Sequence, residues 1–132
     1  VRATREQGFD RVVFELAADT PLPGYRIEYV DAPVRDCGSG EAKEVAGDAW
    51  LEVRMYPLNA HTEAGEPTIA FREQSTDLQV LRELERTCDF EAVTTWVLGL
   101  RSPNPYRVHE LSNPPRLVID VATTSEAPRR SP

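Results

Sequence analysis

Three strand-like runs carry arginines at spacings that could bind an anion. Arg11 stands with Glu15 in DRVVFEL, Arg107 with His109 in YRVHEL, and Arg116 with Asp120 in RLVIDV. Successive side chains of a strand alternate between its two faces, so each pair shares a face. A guanidinium presents a planar fork of donors that can hold a carboxylate bidentately. Arg116, Arg107 and Arg11 are therefore the first candidates for ligand contact. Asp120 is the carboxylate that could orient Arg116 through a charge-assisted bond or staple it to a neighbouring strand. The bland alternative is a solvated face with cross-strand ion pairs worth a few tenths of a kcal/mol. Of the 15 basic residues Lys43 alone is lysine, a skew that a GC-rich genome also produces.

Other chemistry is sparse. No GxSxG elbow, phosphate-cradling glycine loop or GxGxxG fingerprint occurs. His61 and Glu63 fall in the long loop 57–68, without a second histidine or an HExxH spacing to make them metal ligands. Asp10, Asp31, Asp36, Asp48 and Asp89 are scattered at turns, where aspartate caps or accepts backbone hydrogen bonds. A hydrolase would need a deep pocket in which His61 or His109 meets a carboxylate. The expectation is a non-catalytic chain without metal or cofactor. Trp50 and Tyr56 stand on the otherwise polar face of WLEVRMY, either packed under the following loop or forming a patch that binds something. The net charge of −7 opposes nucleic acid and anionic lipid as partners, and no run approaches the roughly 18 apolar residues of a membrane span.

These residues need strands to position them. At 132 residues and 40% hydrophobic composition the chain is long enough for one domain with one core. Gly8-Phe9-Asp10 reads as a turn into RVVFEL, Pro/Gly loops separate GYRIEYV and WLEVRMY, and EAVTTWVLGL is apolar on both faces, as a central strand is. DLQVLRELERTC is ambiguous: Leu78, Leu81, Leu84 and Cys88 recur at helical spacing behind Asp77 as N-cap, while Leu78, Val80 and Leu84 fit a strand. The expectation is an all-β, mainly antiparallel fold of at least about seven strands with room for one short helix. Leu16, Ile27, Val53, Val97, Leu117 and Ile119 are the expected core. The polar, proline-containing end from 123 to 132 reads as a frayed tail behind a domain at 1–122.

Cys37 in RDCGSG and Cys88 in ERTC have neither CxxC spacing nor a nearby histidine, which disfavours zinc and thioredoxin-type chemistry. They are either buried thiols of a cytosolic protein or one disulfide of an exported one.

The closing LSNPPRLVIDV, residues 111–121, resembles the terminal signature of the AMIN domain, with its leucine, Pro-Pro-Arg step and apolar strand ending in Asp plus an apolar residue. GFDRVVFEL, GYRIEYVD and AHTEAG are similar to segments of the AMIN-like branch. The resemblance implies a β-sandwich of two small sheets in a bacterial cell-envelope protein, secreted or lipid-anchored, and it favours the Cys37–Cys88 disulfide. AMIN domains accompany cell-wall amidases and secretin pores and are associated with peptidoglycan binding; the AMIN-like branch has no assigned activity. The implied partner is peptidoglycan or a related wall polymer, bound through an outer sheet face. The alternative is an envelope protein docked at a sheet edge or on Trp50 and Tyr56. A longer section between Ala32 and Cys88 and the cysteine pair depart from the plain AMIN pattern.

Overall fold

The computed structural model describes residues 1–18, 20–58 and 78–124. Its elements are β1 (Arg2–Glu6), β2 (Phe9–Glu15), β3 (Gly24–Val30), β4 (Val34–Arg35), β5 (Ala42–Lys43), β6 (Ala49–Tyr56), β7 (Leu81–Phe90), β8 (Val93–Leu100), β9 (Tyr106–Leu111) and β10 (Arg116–Ala122). They build two four-stranded antiparallel sheets, ordered β1-β2-β10-β9 and β3-β6-β8-β7, which pack together as a sandwich; β4 and β5 form a separate ribbon. The inner faces follow from period-two alternation. Val12 and Phe14, Leu117, Ile119 and Val121, Leu51, Val53 and Met55, and Leu98 and Leu100 fill one core between the sheets. Phe14 and Trp96 meet across it with ring centroids 5.7 Å apart.

From Leu81 onward the ambiguous segment is strand, with Leu78, Gln79 and Val80 leading into it, and two bulges explain its helical spacing. Leu81 pairs with Leu100 and Leu84 with Leu98, with a register shift between Leu81 and Glu83 and another between Arg86 and Cys88. Each extra residue resets the alternation, so Leu81, Leu84 and Thr87 are all buried although three apart. Asp77, the proposed N-cap, lies outside the described residues, as do His61 and Glu63.

Two expected core residues sit differently from the rest. Ile27 is only half-buried because β3 is an edge strand. Val97 is buried, but on the outer face of its sheet, in a second cluster with Val34, Val45 and the ring of Trp50. Residues 32–48 fold over that face as a flap. Gly99 lets it lie flat, since a Cβ there would fall 1.9 Å from the Ala46 carbonyl oxygen. The Cys37–Cys88 disulfide pins the flap to β7, beside a Cys37 N–H bond of 3.0 Å to the Thr87 carbonyl. Central β8 is thus covered on both faces.

Asp10 corrects the turn assignment. The turn is Gln7-Gly8, with Gly8 at φ 86°, and Asp10 belongs to β2 on its inward face. Fully buried, its Oδ2 accepts the N–H groups of Gln79, Val80 and Leu81 at 2.8, 2.6 and 3.0 Å. A carboxylate of the first sheet thereby fixes the start of β7 in the second.

The edges of β3 and β9 close one side of the sandwich through tyrosines. Tyr29 and Tyr106 meet edge to face at 5.9 Å. Tyr106 donates to the Ile27 carbonyl at 3.0 Å, Tyr29 to the Asn104 carbonyl at 2.5 Å and Tyr25 to Glu110 at 2.8 Å. Burial, with a smaller contribution from Tyr106, pushes the Tyr29 phenol up to about 12. A phenol harder to ionise in the folded state than in the unfolded one stabilises the fold fully below the unfolded pKa near 10, and that contribution is lost as pH rises through the folded value. Denaturation midpoints should therefore fall between about pH 10 and 12. In Tyr29→Phe the fall should be smaller; an identical fall in that variant would remove Tyr29 as the cause.

Candidate functional site

The strand order β1-β2-β10-β9 brings the three arginine runs onto one surface. Register aligns Thr4, Arg11, Asp120 and Arg107 across the outer face of the first sheet, because Thr4 pairs with Arg11, Arg11 with Asp120 and Asp120 with Arg107. On one side of this row lies an apolar row. Phe9 pairs with Ala122, whose N–H donates to the Pro105 carbonyl at 2.9 Å. On the other side, Val13 pairs with Val118 and Val118 with His109. Both valines are buried although they face outward, flanked in register by Arg2 and His109, a position in which the stems of long side chains shield apolar atoms.

Asp120 is the hub. Arg11 grips it in two places, Nε to Oδ1 at 2.8 Å and Nη2 to Oδ2 at 3.1 Å, and His109 Nε2 lies 3.1 Å from Oδ2. The hydrogen bond to Asp120 raises the Arg11 pKa above its ordinary value against the opposing effect of burial. The same guanidinium lies over the Phe9 ring, 5.4 Å from its centroid, a favourable cation–π distance. Arg11 is committed to the structure, and Asp120 is neutralised by it.

Arg107 is different. It is exposed, and among the described residues its guanidinium has neither an ion pair nor a hydrogen bond. It borders an open groove of about 550 Å³ lined by Gly8, Phe9, Pro105, Tyr106, His109, Asp120 and Ala122.

The other candidates separate from this groove. Arg116 stands on the same face but turns its guanidinium to the carbonyls of Pro114 and Ser112, at 3.2 and 3.4 Å, bracing the turn that precedes its own strand. Asp120, four residues along an extended strand, is bonded to Arg11 and His109 instead. Trp50 and Tyr56 do not form one patch. Trp50 lies under the flap and donates to the Val45 carbonyl at 3.0 Å, while Tyr56, at the opposite end of β6, is 58% exposed beside Gly24, Tyr25, Arg26 and Arg54.

Phe9, Pro105 and Ala122, which floor the groove, were absent from the sequence candidates. Phe9 reads as part of a turn, and only the pairing register aligns it with Ala122. His109 does meet a carboxylate, but in an open groove whose lining includes no serine, threonine or cysteine. No cluster of three or more His, Cys, Asp or Glu suited to a metal occurs among the described residues, and no helix there is long and apolar enough to cross a membrane.

A family model described as AMIN-like domain matches residues 1–123. Curated proteins and solved structures yield no match.

Proposed function

The chain belongs to the AMIN-like domain family, and from that membership we propose that it is a non-catalytic cell-envelope module that binds peptidoglycan or a related wall polymer through the outer face of its first sheet. The family suggests an envelope location, and the Cys37–Cys88 disulfide fits an oxidising compartment outside the cytosol. The observation that supports the binding surface is the uncommitted Arg107 beside a groove in which Arg11 already neutralises Asp120. Wall peptides carry carboxylates, and a single well-placed guanidinium can hold one although the protein as a whole is acidic.

Sedimentation with purified wall tests this. Arg107→Gln should lower the affinity for wall about tenfold, in line with roughly 1.5 kcal/mol for a hydrogen bond to a charged group, and leave the melting temperature unchanged. Arg116→Gln should do the reverse, loosening the Ser112–Pro115 turn while wall binding persists. Undiminished sedimentation of the Arg107 variant would remove Arg107 from the binding surface, and failure of the unaltered chain to sediment with wall would shift the assignment to a second reading, docking of an envelope protein. The exposed Tyr56, next to Arg26 and Arg54 on the other sheet, favours that alternative.

A further inference from the structure

The groove beside Arg107 has two chemically distinct sides. Its rim carries the uncommitted guanidinium of Arg107 and the imidazole of His109, the latter held by Asp120 at 3.1 Å. Its floor is the apolar row of Phe9, Ala122 and Pro105. Gly8 stands at one end, and a Cβ built on it would meet nothing within 4 Å, so the chain itself leaves that end open. Asp120 would repel an anion, but the paired bonds from Arg11 cancel its charge. Glu6, in register with Phe9, acts electrostatically on Arg11 from the far side of that row, so of the residues lining the groove Arg107 is the cation without a carboxylate partner, set next to apolar surface in a volume of about 550 Å³.

A neutral sugar does not call for the charge, and a free inorganic anion does not call for the floor. Both are used by a carboxylate with a small apolar group one or two bonds away. We propose that the groove is a subsite for the free C-terminal carboxylate of a short peptide ending in small apolar residues such as alanine. The carboxylate lies on Arg107 with His109 beside it, and the terminal methyl groups rest on Phe9, Pro105 and Ala122. This rests on the wall-binding reading and narrows it from the polymer as a whole to the ends of its peptides. Ala122 is the specificity element, because a larger side chain in register with Phe9 would fill the floor.

The test is titration of the full chain with N-acetyl-alanyl-alanine, in D,D and L,L forms, followed by amide chemical shifts. The C-terminal amide of the same dipeptide and plain acetate serve as controls. At least one stereoisomer of the acid should bind at millimolar concentration or better, with shifts centred on Phe9, Arg107, His109 and Ala122. The amide and acetate should bind at least tenfold more weakly. Arg107→Gln should reduce the acid to the level of the amide. Ala122→Leu should weaken the acid, its spectrum showing an intact fold, and Arg116→Gln should leave the titration unchanged.

Equal binding of acid and amide, equal binding of acetate, shifts centred elsewhere, or no binding of either stereoisomer would each overturn the subsite. Wall sedimentation of the same variants separates the two readings. Wall binding that still depends on Arg107 without dipeptide binding refutes the subsite alone, whereas dipeptide binding without wall sedimentation refutes the wall reading alone.

Discussion

Asp10→Ala should destabilise the domain by about 3–5 kcal/mol, since a buried N–H left without an acceptor costs about 1–3 kcal/mol and two buried groups and one half-buried group lose theirs at once. The donors are the consecutive backbone groups of Gln79, Val80 and Leu81, located at the start of β7. The Gln79 amide adds a bond to Asp10 Oδ1 at 3.2 Å, and it reaches the Glu6 and Phe9 carbonyls at 2.9 and 3.1 Å. Asp10→Asn is the sharper probe. Its amide can keep one oxygen toward the backbone N–H groups, but its NH2 then faces the NH2 of Gln79. Turning Gln79 to relieve that conflict gives up the two carbonyls. The isosteric variant should therefore still lose about 1–3 kcal/mol. Chemical denaturation measures both variants. A loss below about 1 kcal/mol for Asp10→Ala would show that water already serves these groups.

Much of the sandwich was readable because alternation reports burial directly. In RLVIDV the residues Leu117, Ile119 and Val121 all enter the core, and two-faced apolarity marks β8 as interior without reference to its neighbours. Legibility ended where a distant part of the chain changes the local rule. The bulges in β7 mimic a helical period, and their cause is pairing with β8 rather than anything within LRELERTC itself. Val97 carries the pattern of a core residue, yet it packs under a flap whose placement depends on Cys37 meeting Cys88, 51 residues away. The candidate site shows the same limit. Each arginine run was visible alone, but the choice of partner for Asp120 was not. Arg116 shares its strand, whereas Arg11, 109 residues distant in sequence, shares its register. Strand order alone decides between them, and it leaves Arg107 as the side chain available to a ligand.

Removing the disulfide with Cys37→Ala and Cys88→Ala together should lower stability by up to about 4 kcal/mol, the chain-entropy figure for a loop of this length, closed over a sequence separation of 51 residues. The native flap has other attachments and should remain in place. Lys43 bonds Glu85 at 3.3 Å, the Ala46 N–H bonds Glu83 at 3.2 Å, and Val34, Val45, Val97 and Trp50 stay packed. The loss should therefore arise mainly in the unfolded chain, which expands when the link is cut. Two measurable consequences distinguish this from damage to the native state. The denaturant m-value should rise, because more surface is exposed on unfolding. Wall binding should survive, because the flap lies on the second sheet and the Arg107 groove on the first. A fall in stability with an unchanged m-value would instead place the contribution of the bridge in the native flap. In that case Gly99→Ala, which pushes the Ala46 backbone away from β8, should reproduce most of the loss with both cysteines intact.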